Sequence, residues 1–167
     1  MRIVIYQKNN VLKVSEKIDW LRLLQDSKIK EFNEWRMANI FEKIDLSGMD
    51  FSGKDLSDAY LNGIKCNGAN LSNCKLRKAN FAQSEIMDSN LEKADLTDAI
   101  FLYGNLKNSN LIDANLTGTN FMWSDLRNCD LSGAKFRKTV FVEAKLQNAK
   151  LNSLENQSVY LKFAKME

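Results

Sequence analysis

Histidine and proline are absent from this 167-residue sequence, which also contains only seven glycines and three cysteines. Without histidine, the chain has no Ser-His-Asp triad and no histidine metal site. It also lacks a nucleophile elbow and a glycine-rich phosphate-binding loop. We therefore expect no catalytic residue, no cofactor and no metal site, and we predict that the protein is not an enzyme.

Long hydrophobic runs are also missing, and the charge is nearly balanced. No apolar stretch reaches the length of a membrane span, and the opening MRIVIY is too short for a secretion signal and is followed by the polar QKNN. The formal net charge is +3, but residues 44–155 carry 13 Lys and Arg against 14 Asp and Glu. This pattern predicts a cytoplasmic protein with neither a membrane nor a nucleic-acid partner.

The dominant feature of the sequence is a five-residue hydrophobic repeat. From Leu46 to Leu151, every fifth residue is Leu, Ile or Phe, apart from Cys66, over 22 consecutive units. A helix would spread these residues around its whole surface, because five residues turn it by about 500°, and a flat strand would point alternate ones to opposite sides. The chain must therefore turn a corner within each unit, as in a β-solenoid whose centre is filled by the large side chains. A filled centre leaves no pocket for a small-molecule substrate.

The repeat units resemble those of a known family. ANLSN, ADLTD, DANLTG and CDLSGA are similar to the A-(D/N)-L-x-x units of pentapeptide-repeat proteins, and the resemblance spans residues 44 to about 155. It implies an all-β fold, a right-handed quadrilateral β-helix with four units in each 20-residue coil. Phenylalanines recur at this 20-residue spacing, and we expect them to form one ladder in the core: Phe81, Phe101, Phe121 and Phe141.

The ends of the chain lie outside the regular repeat. Residues 1–43 predict a small N-terminal cap, with a short strand at RIVIY and two short amphipathic helices whose expected N-caps are Ser15 and Ser27. Residues 44–155 would form the β-helix of about 5.5 coils, and residues 156–167 would add a last rung or a tail. Caps are expected because a solenoid exposes its core at both ends.

Cysteine and aspartate in the repeat have both a chemical and a structural interpretation. Cys66, Cys74 and Cys129 fall on inward positions without metal-ligand spacing, which indicates packed thiols and not a redox or metal site. Aspartates that precede the central leucine, such as Asp45 and Asp130, are expected to accept hydrogen bonds from the local backbone at the corners. Neither residue type therefore indicates catalysis.

One stretch breaks the polar pattern on the outside of the solenoid. In AIFLYGNL (residues 99–106), positions that are polar in most units are apolar. With the next two rungs of the same face, this stretch predicts a contiguous outward patch of the size that usually marks a protein contact. Its residues are Ile100, Leu102, Tyr103, Met122, Trp123, Val140 and Val142. Three occupants are compatible with this pattern: a second copy of the chain in a homodimer, a different protein, or the chain's own tail.

Together, these features predict a non-enzymatic β-solenoid scaffold for protein–protein interaction, with an unknown partner. The family resemblance implies an alternative, a DNA-mimicking modulator of DNA gyrase or another topoisomerase. Mimicry requires a strongly negative rod that imitates regularly spaced phosphates. The nearly neutral repeat of this chain disfavours that alternative.

Overall fold

Two short helices precede the repeat in the computed structural model, which describes residues 19–151 and 158–166. The predicted strand at RIVIY and the predicted cap at Ser15 lie outside these residues. Helix α1 spans Trp20–Gln25 and helix α2 spans Ile29–Ala38. Asp19 is the N-cap of α1, because its side chain accepts a hydrogen bond from the backbone N–H of Arg22 at 3.2 Å.

The connection between the helices differs from the prediction. The N-cap position of α2 is Lys28, which makes no side-chain cap hydrogen bond, so the prediction of Ser27 as the N-cap was wrong. Ser27 instead has a φ of 54°. The backbone N–H of Lys28 donates to the Leu23 carbonyl and that of Ser27 donates to the Leu24 carbonyl, which is the Schellman arrangement. Ser27 is therefore the left-handed residue that ends α1.

The repeat body is a stack of 20-residue coils joined by parallel β-bridges. The isolated bridges run from the pair Asp45 and Lys65 to the pair Lys145 and Lys165, and each joins residues 20 apart. At the C-terminal end the pairing lengthens into four two-residue strands: β1 Asp130–Leu131, β2 Thr139–Val140, β3 Lys150–Leu151 and β4 Val159–Tyr160. Strand β1 pairs with β3 and β2 pairs with β4 in the same parallel register. Four five-residue units thus make one coil.

Each unit turns through a residue in the left-handed region. In the units centred on positions 46 to 146, the residue two positions after the centre has a positive φ, as at Gly48 (68°) and Asn108 (61°). The side chain of the residue before the centre holds the turn by accepting a hydrogen bond from the backbone N–H two residues later. Asp45 accepts from Ser47 at 2.9 Å, and Asp130 accepts from Ser132 at 3.0 Å. These bonds confirm the predicted corner role of the aspartates.

The core of the stack is filled by the central residues, which are 0–2% exposed from Leu46 to Leu146. Smaller polar residues beside them donate to a carbonyl of the preceding coil, as the Ser109 hydroxyl does to Ile86 at 2.6 Å and the Cys129 thiol does to Leu106 at 2.9 Å. All three cysteines are buried and free, as predicted. Burial raises the pKa of the Cys66 and Cys129 thiols to about 12, so these thiols are protonated at neutral pH.

Helix α2 is attached to the start of the stack by polar side chains. The guanidinium of Arg36, a residue only 6% exposed, donates to the carbonyls of Asn39, Glu42 and Asn62. The Asn33 side chain donates to the Asp58 carbonyl at 2.9 Å and accepts from the backbone N–H of the first-coil Tyr60 at 2.9 Å. The helices therefore pack on the first coil through a buried cation as well as through apolar contacts.

Candidate protein-contact surface

One face of the stack is organised by a column of phenylalanine rings in the core. The centroids of Phe81 and Phe101 are 5.0 Å apart, those of Phe101 and Phe121 are 5.1 Å apart, and those of Phe121 and Phe141 are 5.3 Å apart. All four side chains are fully buried. We call the surface outside this column the Phe-ladder face, and its rungs are residues 60–63, 80–83, 100–103, 120–123, 140–143 and 160–163.

The backbone aligns the outward positions of these rungs in columns. The residue before each centre pairs with its equivalent 20 residues on, which places Ile100 beside Asn120 and Asn120 beside Val140. The backbone N–H of Tyr103 donates to the Met122 carbonyl, and that of Trp123 donates to the Val142 carbonyl. The seven residues of the predicted patch therefore lie on three neighbouring rungs of one face.

Tyr103 and Trp123 form the exposed centre of the patch. Their ring centroids are 4.8 Å apart and their planes differ by 10°. Tyr103 is 56% exposed and Trp123 is 41% exposed. The φ angles are 57° and 59°, in a region that bulky residues rarely adopt. The backbone thus holds two aromatic rings in slots that contain Gly, Asn, Asp, Lys, Gln or Glu in the other units, apart from Phe163 on the last rung.

The other members of the patch surround this stacked pair at intermediate exposure: Ile100, Leu102, Met122, Val140 and Val142. The described part of the C-terminal tail does not lie over them. Residues 158–166 continue the stack, with Val140 paired to Tyr160 and the backbone N–H of Phe141 donating to the Tyr160 carbonyl. This part of the tail is therefore a further rung beside the patch.

The Phe-ladder face has more exposed rings than the predicted patch includes. Tyr60 is 42% exposed on the first rung, and Tyr160 and Phe163 are 55% and 70% exposed on the last. Prediction from the sequence restricted the patch to three rungs and missed these rings, although the same 20-residue register places them on this face. Among the outward positions of all six rungs, only Glu143 and Lys162 carry a charge.

A second exposed apolar region lies where α2 meets the first coil. Met37, Ile40 and Phe41 are 67%, 62% and 92% exposed. Met37 also lines an open groove of about 440 Å³, together with residues that include Ile29 and Tyr60. Tyr60 also belongs to the Phe-ladder face, so the groove adjoins the first rung of that face.

No group of three metal-ligating side chains converges within residues 19–151 and 158–166. Over the same ranges, neither helix is long or apolar enough to cross a membrane. The carboxylates at the corners form local contacts, such as the 2.8 Å ion pair of Asp130 with Lys150. That lysine, with Ser132, lowers the pKa of Asp130 to about 2.

Two family models match the chain over most of its length. The model described as "Pentapeptide repeat region" matches residues 37–111, and the model described as "Pentapeptide repeats (8 copies)" matches residues 119–153. The chain belongs to the pentapeptide-repeat family. The comparison with curated proteins gives no match.

Several solved pentapeptide-repeat structures are similar to this chain at low identity. Rfr23 from the cyanobacterium Cyanothece 51142 is 21% identical, with 83% of this chain and 95% of that chain covered and a TM-score of 0.41. QnrB1, a plasmid-mediated fluoroquinolone resistance protein, is 22% identical over 75% of this chain and 84% of that chain, with a TM-score of 0.35. The protein alr5209 from Nostoc PCC 7120 is 23% identical over 71% and 98%, with a TM-score of 0.32.

Proposed function

We propose that this pentapeptide-repeat protein is a non-enzymatic, cytoplasmic scaffold that binds protein through the patch formed by Ile100, Leu102, Tyr103, Met122, Trp123, Val140 and Val142. We also propose that the stack of coils is a right-handed quadrilateral β-helix that presents a flat face. The bridges between residues 20 apart and the single phenylalanine column support this arrangement.

The observation that carries the proposal is the exposed stacked pair of Tyr103 and Trp123. Large aromatic side chains at positive φ cost about 1 kcal/mol or more in backbone strain. Packing of the core does not require them, because Lys78 and Lys138 occupy equivalent slots on another face. Aromatic residues and methionine are enriched at the centres of protein interfaces, so a contact function accounts for rings at these positions.

The charge distribution favours a protein partner over a nucleic acid. A nucleic-acid site presents a cluster of Lys and Arg to the phosphates. The only charged residues at the outward positions of the Phe-ladder face are Glu143 and Lys162. On the other faces, lysines and aspartates pair across coils, as Lys75 does with Asp55 at 3.6 Å and Lys150 does with Asp130 at 2.8 Å. This mixture also provides no continuous negative surface for mimicry of DNA.

A site-specific photo-cross-linker tests the proposal. Tyr103→benzoylphenylalanine, expressed in the organism of origin, is expected to give covalent protein adducts of defined mass. The matched control is Asn128→benzoylphenylalanine, since Asn128 is also exposed, has a φ of 61° and lies on another face. The adducts should disappear when Trp123→Lys is added. Absence of adducts at position 103, or equal adducts at both positions, would overturn the proposal.

A further inference from the structure

We infer that the protein that binds the Phe-ladder face is a second copy of this chain, related by a two-fold axis that makes the two stacks antiparallel. This inference rests on the proposed function and specifies its partner. The axis would lie in the plane of contact, perpendicular to the stacks, between the rungs 100–103 and 120–123. Such a pairing is isologous, because the same surface is used on both copies.

The two-fold axis reverses the order of the rungs and keeps each column opposite its own equivalent. Rung 60–63 then faces rung 160–163, rung 80–83 faces rung 140–143, and rung 100–103 faces rung 120–123 of the second copy. This pairing requires that equivalent residues of successive rungs lie in line along the whole face, and they do. The residues before the centres pair without interruption from Tyr60 through Val140 to Tyr160.

In two of the three columns the side chains that face each other are complementary, whereas Ile100 and Val140 of the third column face the amides of Asn120 and Asn80. Tyr103 faces Trp123 of the second copy, and Leu102 faces Met122. The most exposed ring of the Phe-ladder face, Phe163, faces a residue without a side chain, Gly63.

Neither charge of the face meets a charge or an apolar side chain. Glu143 faces the amide of Gln83, and Lys162 faces the amide of Asn62. Both amides can hydrogen-bond the opposing charged group. Both charged residues and the uncharged residues around them are thus compatible with one self-complementary register.

A parallel pairing of the same faces fits less well. With parallel stacks, each rung faces itself and the columns exchange sides. Glu143 then faces the apolar Val140 of the second copy, and Trp123 faces Asn120. Desolvation of a carboxylate against an aliphatic side chain is unfavourable. The charges of the face therefore favour the antiparallel arrangement.

The size of the face predicts a weak dimer. A patch of a few hundred Å² on each copy gives a total below the roughly 1,200–2,000 Å² of standard stable interfaces. The outer rungs extend it with Tyr60, Tyr160 and Phe163. Dimers are therefore expected to form in a concentration-dependent way, which multi-angle light scattering measures directly.

Cysteine cross-linking tests the register. Purified protein with Gln83→Cys is mixed with protein carrying Glu143→Cys and treated with a short bismaleimide. The control mixture combines Lys78→Cys with Lys138→Cys, because these exposed positions have the same backbone conformation and the same 60-residue separation on another face. The native cysteines are buried. We expect at least tenfold more mixed cross-linked dimer from the 83 and 143 pair, and a loss of that product when both partners also carry Trp123→Lys.

The possible results separate this inference from the proposed function. Dimers without the 83 to 143 product would overturn the antiparallel arrangement. A monomer at high concentration, combined with adducts to a different protein at position 103, would overturn the second copy as the partner and leave the contact function intact. A monomer without any adduct at position 103 would overturn both.

Discussion

The indole of Trp123 stacks on the phenol ring of Tyr103 at a centroid distance of 4.8 Å, although both residues have a φ near 58°. Strain of about 1 kcal/mol at each of the two positions opposes the roughly 0.5–1.5 kcal/mol that an aromatic pair contributes. The strain is at least as large as the stacking energy, so the pair contributes little to the stability of one copy. Its exposed surface remains available for contact.

Trp123→Asn tests this balance. Asn tolerates the left-handed region better than Trp does, and this gain opposes the loss of the ring stack. We expect the free energy of unfolding, measured by urea denaturation at low protein concentration, to change by less than about 1 kcal/mol. Lys138→Asn, at the equivalent slot of another face, is the control for the backbone effect. A loss of more than about 3 kcal/mol, typical of a core residue, would contradict this interpretation.

The register of the repeat was predictable because each central side chain must be apolar to fill the core. The apolar residue at every fifth position therefore identifies the centre of each unit. The column of Phe81, Phe101, Phe121 and Phe141 has the geometry that the 20-residue spacing implies. The outward patch follows from the same register. Prediction was weaker at the last rung, where Tyr160 and Phe163 lie outside the strict repeat.

The cap was less predictable than the repeat, because its contacts depend on tertiary structure. The serine of a DSK segment is compatible either with an N-cap or with a left-handed C-terminal residue, and here Ser27 takes the second role. Arg36 is polar, and no pattern in the sequence identifies its partners. Its burial depends on carbonyls that are brought together only when α2 packs on the first coil.

Arg36→Met should weaken the attachment of the helical cap. The substitution preserves much of the side-chain volume but removes the donors to the Glu42 and Asn62 carbonyls, at 2.8 and 3.0 Å. Hydrogen bonds to a charged group contribute about 1.5–3 kcal/mol each, with partial compensation by water. We expect the free energy of unfolding to fall by about 2–4 kcal/mol. Tryptophan fluorescence during denaturation measures this change.

The matched control for this substitution is Arg22→Met. The Arg22 side chain is 75% exposed and lies 3.6 Å from Asp26, and exposed ion pairs contribute about 0–1 kcal/mol. A similar effect of the two substitutions would mean that Arg36 does not hold the cap to the stack.

The stability of the stack should depend on pH through Asp130. Hydrogen bonds from Lys150 and Ser132 lower the pKa of this carboxyl from 3.8 to about 2. A lowered folded-state pKa contributes stability above the unfolded-state pKa, and this contribution is lost as the pH falls from about 4 to about 2. Because the Lys150 side chain is 73% exposed, salt should reduce the effect.

Lys150→Met removes the partner that lowers the pKa of Asp130 most. We expect the pKa of Asp130, measured by carboxyl carbon NMR, to rise toward its usual range but to stay below it, because the Ser132 backbone N–H still donates at 3.0 Å. Lys107→Met is the control, since Lys107 forms no ion pair among the described residues. An unchanged pKa in the Lys150 variant would mean that the lysine does not set the titration of Asp130.

Substitution of Phe121 separates the core ladder from the surface patch. Its ring is stacked between Phe101 and Phe141 and is fully buried, so Phe121→Ala should cost about 3–5 kcal/mol in the free energy of unfolding. Leucine is the central residue of most units, so Phe121→Leu should keep the rung in place at a cost of about 1–2 kcal/mol. Met122 and Trp123 then keep their outward positions, and the folded Leu variant should retain the photo-adducts at position 103. Their loss from a folded Leu variant would show that the patch depends on the identity of the ring beneath it, and not only on the register of the backbone.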